Sequence, residues 1–132
     1  MTAVLLAAYL HVANVHLVQA VYDAGGLLYV ALIACENPKW DPACVVHEPR
    51  RHTSAGLPMI DDEWWTQPKD AESQIRKGWW ILHVRFGDDP AKYNGGDRPN
   101  KKAQKWGYVV ERERDELARW LWNHEQIAGG KV

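Results

Sequence analysis

An apolar run at the start of the chain is the first feature of the hydrophobic pattern. It is interrupted by His11, Asn14, His16 and Gln19, and no Lys or Arg precedes it. These features favour an amphipathic helix over residues 2–21, because an export signal begins with basic residues and a membrane-spanning helix needs about 20 predominantly apolar residues. We predict an ordinary N-terminal helix here and keep an uncleaved export signal as the alternative.

A second apolar run, over residues 27–34, follows a Gly-Gly break and leads into Cys35 and Glu36. Its Ala and Leu content favours a buried helix over a strand, and Pro38 closes it. Residues 37–60 then hold four of the seven prolines. We therefore predict irregular chain in this region, forming the wall of a cleft.

The second half of the chain predicts three more helices. Asp70 can cap a helix over residues 71–86, and a second cap precedes a short helix that begins at Pro90. A basic polar loop at residues 97–105 leads to a last helix over residues 106–127. The inward faces of the two long helices are expected to carry Ile75, Trp79, Leu82 and Phe86 in the first and Val110, Leu117 and Leu121 in the second.

The composition limits the classes of function. A chain of 132 residues with 46% apolar positions can build one core, so we predict a single domain over residues 1–132. A net charge of −1 gives no overall attraction to nucleic acid or to an anionic membrane, and we expect neither as a partner. The eight tryptophans are unusual, and indole rings suit both cores and sugar ligands.

The two cysteines, Cys35 and Cys44, are spaced so that they could form a small disulfide loop or stay reduced. With His47 and His52 they form a loose Cys/His set. Its spacing matches no tight zinc pattern, so we expect no metal and no other cofactor.

Glu36 is the candidate catalytic residue. Helical geometry places Tyr29, Leu32 and Ile33 on its side of the apolar helix. A carboxyl group partly buried there resists ionisation, and its raised pKa suits a general acid that works near neutral pH. Taken alone, a glutamate that closes a helix is more often a solvated terminal residue.

The order of motifs around Glu36 carries more information than any one of them. Along the chain stand Glu36, Trp40-Asp41-Pro42-Ala43, Ser54-Ala55-Gly56-Leu57, Arg85-Phe86-Gly87-Asp88, Ala91-Lys92-Tyr93-Asn94-Gly95-Gly96 and Tyr108-Val109. This order resembles the catalytic domain of soluble lytic transglycosylases, in the lysozyme-like superfamily, over about residues 22–122. The resemblance implies a mainly α, lysozyme-like single domain in which the loop region at about 37–60 walls a cleft.

The resemblance also implies an activity and a set of site residues. The activity is cleavage of the β-1,4 bond between N-acetylmuramic acid and N-acetylglucosamine in peptidoglycan, with a 1,6-anhydro product. Glu36 would protonate the glycosidic oxygen. The substrate-binding residues carried over by position are Ser54, Gly56, Leu57, Met59, Tyr93, Asn94 and Tyr108. Among these, Tyr93 would orient Glu36, Asn94 would contact the sugar, and Tyr108 would support the site from the last helix.

Two departures from the family pattern affect this interpretation. Asn37 stands where the family usually has Ser, and Met59 takes the place of a Gln that contacts the substrate in the cleft. These changes leave three alternatives open. They are a hydrolase with a second carboxylate, a non-catalytic glycan-binding module, and a metal-dependent or interaction protein built on the Cys/His set. The carboxylates available for hydrolysis are Asp41, Glu48, Asp61, Asp62 and Asp97.

The expected partner is the glycan strand of peptidoglycan, recognised by a monomer. We expect action at the cell wall, in the periplasm or outside the cell. Short wall-cleaving domains of this kind are typical of bacteriophage endolysins and virion-associated enzymes, and such a protein waits in the host cytoplasm or in the virion before release.

Overall fold

The computed structural model describes residues 2–49 and 52–128. Within that part of the chain, five α-helices, one π-helical segment and a small sheet make up a mainly α-helical fold, as the sequence predicted. The elements are α1 (Thr2–Leu10), α2 (Val15–Glu36), β1 (Val45–His47), β2 (Thr53–Ala55), β3 (Ile60–Asp61), α3 (Ala71–Trp79), the π-helical segment (Trp80–Arg85), α4 (Pro90–Gly95) and α5 (Lys101–Ala128).

Helix α2 is the centre of the core. Its residues from Tyr29 to Ile33 are fully buried, and it packs against α1, α3 and α5. This confirms the predicted buried helix over residues 27–34. Gly26 has φ +66° and kinks α2, so the Gly-Gly break bends the helix without ending it. By length and composition α2 could also cross a membrane, with mean hydropathy 1.6, but a core helix passes the same test.

The N-terminal helix is shorter than predicted. The chain leaves the helix at His11, whose φ is +57°, and the Asn14 side chain then accepts a hydrogen bond from the Leu17 N–H to begin α2. The prediction of one helix over residues 2–21 is therefore wrong, because the polar residues that interrupt the run end one helix and cap the next.

The predicted irregular region at 37–60 contains regular structure. Strands β1, β2 and β3 form an antiparallel sheet in that order, with Val46 opposite Ser54 and Ser54 opposite Asp61. Side chains support the pairing, since Asp62 accepts from both the backbone N–H and the hydroxyl of Thr53 at 2.8 and 3.0 Å. The prediction of irregular chain over residues 37–60 is therefore wrong, although the region does form one wall of a cleft.

The C-terminal helices follow the sequence with two changes. Asp70 caps α3 as predicted, but the helix widens into π geometry after Trp79 instead of continuing as α-helix to Phe86. Helix α5 begins at Lys101 rather than at 106, because the Asn100 side chain accepts from the Ala103 N–H and caps the helix early. The inward residues predicted for α5, Val110, Leu117 and Leu121, are buried.

Candidate active site

A cleft of about 740 Å³ opens between the sheet and the helices that follow it. The sheet region and the turn after it form one wall, and the π-helical segment, α4 and the start of α5 form the other. Glu36 lies in the cleft at the end of α2. The sheet-side lining includes Glu48, His52, Ser54, Met59, Ile60 and Asp61, and the helix-side lining includes Ile81, Arg85, Phe86, Lys92, Tyr93 and Asn94.

Glu36 has the electrostatic character of a general acid. Its side chain is partly buried, and burial raises the pKa of its carboxyl group to about 8. The negative charge of Glu48 adds to this shift. The fully buried run from Tyr29 to Ile33 precedes it on the same helix. A carboxyl group in such a place keeps its proton at neutral pH and can deliver it to a bound substrate.

Asn37, next to Glu36, joins α2 to the sheet. Its amide nitrogen donates to the carbonyl oxygens of Asp41 and Gly56 at 2.8 and 3.1 Å, and its side-chain oxygen accepts from the Asp41 N–H at 3.1 Å. The residue is 2% exposed. Asn can bridge two backbone segments through its donor and its acceptor together, so Asn37 fixes the chain behind Glu36.

Gln74 is a structural residue of the cleft that the sequence analysis missed. From α3, its side-chain oxygen accepts from the Leu57 N–H at 2.8 Å, and its amide nitrogen donates to the carbonyl oxygens of Pro42 and Lys69, both at 3.0 Å. Gly56, with φ +83°, lies so close that a Cβ there would be 2.8 Å from the Gln74 side chain. A lone Gln beside the apolar Ile75 was the only sequence signal for this contact.

The sheet wall presents polar groups that bond to one another. His52 Nδ1 lies 2.9 Å from a carboxylate oxygen of Asp61, which stands opposite Ser54 in the sheet. Hydrogen bonds from Thr53 hold the pKa of Asp62 below its usual range. Among residues 2–49 and 52–128, the potential metal-ligand atoms that lie together belong to His52, Asp61 and Asp62, within 4.8 Å of one another. Each of these residues already bonds within the sheet wall, and we assign no metal to them.

The cysteine set does not assemble as a metal site in the described part of the chain. Cys35 and Cys44 are both free and partly buried. Burial raises the pKa of the Cys35 thiol to about 11, and the charges of Glu113 and Glu36 add to that shift. A thiol with a raised pKa is a poor metal ligand and a poor nucleophile.

Tyr93 and Asn94 lie on the helical wall, on α4. The Tyr93 hydroxyl donates to the Pro58 carbonyl oxygen at 2.6 Å, so it binds the opposite segment and not Glu36 itself. Burial raises the pKa of Tyr93 well above its usual value, and the neighbouring acidic groups Tyr29 and Glu36 add to the shift. Tyr93 is therefore held neutral beside the acid. The side chain of Asn94 is exposed in the cleft, where a ligand can reach it.

A bidentate ion pair fixes the loop after α4. Arg85 donates to both carboxylate oxygens of Asp97 at 2.9 and 2.7 Å, and both residues line the cleft. This contact raises the pKa of Arg85 and lowers that of Asp97. The loop that follows Tyr93 and Asn94 is thereby attached to the π-helical segment.

The structure brings together only part of the predicted site. Glu36, Ser54, Met59, Tyr93 and Asn94 line one cleft. Of the five carboxylates considered for hydrolysis, Glu48, Asp61 and Asp97 line it as well, whereas the Asp41 carboxylate accepts from the Ala43 N–H in a turn and Asp62 bonds to Thr53.

Three of the residues carried over as substrate contacts are not among those that line the cleft. Gly56 is buried and Leu57 is fully buried in the core, so both support the wall from behind. Tyr108 is 70% exposed and lies in a second depression, beside Asp88 and Glu111. It stands two residues before the buried Val110, and residues two apart on a helix point to nearly opposite sides.

Comparison with known proteins gives no relative from which to carry over a function. No family model matches the chain, and no curated protein and no solved structure matches it.

Proposed function

We propose that this protein cleaves the β-1,4 glycosidic bond between N-acetylmuramic acid and N-acetylglucosamine in peptidoglycan, with Glu36 as the general acid. The observation that carries the proposal is a carboxyl group with a pKa of about 8 in an open cleft. Such a group is protonated at neutral pH, and breaking a glycosidic bond requires a proton for the leaving oxygen. The site of action is then the bacterial cell wall, reached from the periplasm or from outside the cell.

We further infer that the fold is lysozyme-like. Three features support this inference: a long buried helix that ends in the acid, a small antiparallel sheet directly after it in the chain, and helices that form the facing wall. The motif order around Glu36, Tyr93 and Asn94 supports it independently of the geometry.

In the proposed reaction, Glu36 gives its proton to the glycosidic oxygen as the bond to the sugar carbon breaks. Positive charge develops on the sugar ring, and the ionised Glu36 then faces it. Asn94 would hydrogen-bond the sugar next to the bond that breaks, because its side chain is exposed in the cleft. Tyr93, fixed by the Pro58 carbonyl, shapes the wall beside the acid.

The route that we favour after bond cleavage is lytic transglycosylation. The carboxylate left on Glu36 takes the proton of the sugar's own C6 hydroxyl, whose oxygen attacks the anomeric carbon and closes a 1,6-anhydro ring. No second carboxylate is required. The tethered hydroxyl has a high effective concentration and outcompetes water.

One observation favours hydrolysis as the second candidate. Glu48 lies in the same cleft, and its negative charge is close enough to raise the pKa of Glu36. Glycosidases that hydrolyse generally use such a pair, in which one carboxyl group is protonated and the other activates water or attacks the sugar.

Mass spectrometry of the products from purified peptidoglycan tests the proposal and separates the two routes. Transglycosylation predicts mostly 1,6-anhydro-muramyl ends and little cutting of chitin oligomers, which lack the lactyl and peptide groups. Predominantly reducing muramic acid ends would indicate hydrolysis with Glu48 as the first candidate for the base. If no muropeptides are released by folded protein at any pH from 4 to 8, the catalytic proposal is wrong.

A further inference from the structure

Two tryptophans line the cleft without a role in the chemistry proposed above. Trp64 and Trp65 follow β3, and both contribute to the cleft lining. The Trp64 side chain is 72% exposed. An indole ring left in water at a cleft wall forgoes the burial that large aromatic side chains normally gain on folding.

We propose that Trp64 and Trp65 form a sugar-stacking subsite, here called the tryptophan platform, which binds a pyranose ring of the glycan strand away from the scissile bond. The inference rests on the proposed function, since it names how the same cleft holds a longer strand. A pyranose ring has an apolar C–H face and a polar hydroxyl edge, and an indole offers a matching apolar face with one N–H donor.

The floor of the cleft connects the platform to the acid. Ile60, Ile81 and Phe86 form a small buried apolar cluster, and both Tyr93 and Trp65 pack against it. Tyr93 and Glu36 line the same cleft, and the charge of Glu36 helps to raise the pKa of Tyr93, so one edge of this cluster is close to the acid. Trp65, the other residue that packs against this cluster, is part of the platform. A strand cut at Glu36 can therefore run along a cleft that Glu36, this cluster and Trp64 all line.

The backbone of both tryptophans and the ring of Trp65 are held in place before any ligand binds. The backbone N–H groups of Trp64 and Trp65 both point to the Asp61 carbonyl oxygen, at 3.4 and 3.0 Å. The Trp65 ring meets Trp80 edge-on with centroids 5.8 Å apart and Phe86 at 6.5 Å. Lys77 lies over the Trp65 and Trp80 rings, with its ammonium 5.6 and 5.5 Å from their centroids. The fixed ring of Trp65 therefore loses little conformational entropy on binding, and it lies beside the exposed Trp64 side chain.

The platform makes contact only with strands long enough to reach it. Trp64 is therefore a positioning residue for long glycans and takes no part in proton transfer. Its loss should weaken binding of long strands and leave short strands unaffected.

The test measures binding to protein that cannot cut its ligand. Peptide-free glycan strands of tetrasaccharide length and of at least octasaccharide length are titrated into Glu36→Gln protein by isothermal titration calorimetry. Adding Trp64→Ala should weaken binding of the long strands by about tenfold, which is about 1.4 kcal/mol, and leave tetrasaccharide binding unchanged. Adding Trp64→Phe, which keeps an aromatic face, should retain most of the affinity.

Trp122→Ala is the matched control, because Trp122 is 65% exposed on α5 and does not belong to the cleft lining. It should bind like the Glu36→Gln parent. Equal affinities of the Trp64→Ala and Trp122→Ala proteins for long strands would overturn the platform and leave the proposed function standing. An equal loss for short and long strands would overturn its placement away from the scissile bond. Failure of the folded parent to bind any strand would overturn the proposed function and the platform with it.

Discussion

The helical body and the sheet wall of this protein are stabilised in different ways. The body around α2 buries apolar side chains such as Leu32, Val110 and Leu117. The sheet wall has few such residues, and polar side chains hold it: Asn37 and Gln74 are each 2% exposed and bind backbone groups of separate segments. Burial in the body is non-directional, whereas hydrogen bonds in the wall fix positions.

The two candidate carboxyl groups lie in different regions, Glu36 in the helical body and Glu48 in the sheet wall. Glu36 ends the apolar helix, and burial there keeps its proton in place at neutral pH. Glu48 follows β1, whose three residues are exposed, and contributes a negative charge to the cleft. The body thus supplies the low-dielectric surroundings that alter a pKa, and the wall supplies positioned polar groups that face it.

The largest effect should come from removing the acid that the body provides. Glu36→Gln keeps the size of the side chain and loses the transferable proton, so clearing of purified cell walls should slow by roughly 100- to 10,000-fold. Turbidity loss measures the rate, and circular dichroism shows whether the fold is kept. Glu116→Gln, an exposed glutamate on α5, is the control and should be fully active. Near-normal activity in folded Glu36→Gln protein would remove Glu36 from the mechanism.

The wall should be weakened most by the loss of Gln74. Gln74→Ala leaves the buried Leu57 N–H and the partly buried Pro42 carbonyl without their partner, and we expect the free energy of unfolding to fall by about 2 to 4 kcal/mol. Urea denaturation measures the change. Gln104→Ala, which removes an exposed Gln bonded to the Pro99 carbonyl, should cost less than about 0.5 kcal/mol. Similar costs for the two variants would show that the wall does not depend on Gln74.

The same contrast explains how much the sequence could predict. The helices of the body follow from apolar periodicity and from caps such as Asp70 and Asp89, and the position of Glu36 follows from the apolar run before it. The strands could not be found in this way, because they are two or three residues long and β1 is exposed on every position. The role of Gln74 depends on a partner 17 residues away. Such contacts leave no periodic signal.

The predicted site residues also fall into two groups, those that line the cleft and those that do not. Motif order selected Glu36, Tyr93 and Asn94, which line one cleft, and each lies in or beside a helix whose start or end could be predicted. Motif order also selected Tyr108, which lies in a second depression because of the rotation of α5, and Leu57, which the turn before β3 directs into the core. Packing decides the direction in which a side chain points, and the order of motifs along the sequence does not predict that direction.

The pH dependence of stability should distinguish the buried acid from a solvated one. Glu36 has an ordinary pKa near 4.5 when unfolded and about 8 when folded, so the folded state holds more protons between these values. Stability contributed by this group is therefore complete below about pH 4.5 and is lost as the pH rises to about 8. Relative to Glu36→Gln, the wild-type melting temperature should fall by several degrees across that range. A constant difference between the two proteins would mean that Glu36 is not buried.

Asn94 tests the helical wall of the cleft with a smaller effect. Asn94→Ala should lower the rate of wall cleavage by at least about tenfold, because a lost transition-state contact costs about 1.4 kcal/mol for each factor of ten. The melting temperature should hardly change, since the side chain is exposed. Asn123→Ala on α5, also exposed, is the control for activity. A large melting shift with unchanged specific activity would instead make Asn94 a residue that only supports the end of α4.

The smallest effect is expected from Glu48, and it decides between the two routes. Glu48→Gln removes a negative charge that disfavours ionisation of Glu36, so the pKa of Glu36 should fall while burial, the larger cause, keeps it above the ordinary value. Activity requires protonated Glu36, and the alkaline limb of kcat/KM, near pH 8 in the wild type, should therefore move to lower pH. Glu63→Gln removes an exposed charge of the same sign next to His52 and should leave the limb in place.

Under transglycosylation the rate on the plateau below that limb stays near the wild-type value, because the C6 hydroxyl needs no second carboxylate. A drop of 100-fold or more on the plateau, beyond what a shifted limb can explain, would make Glu48 the base of a hydrolase.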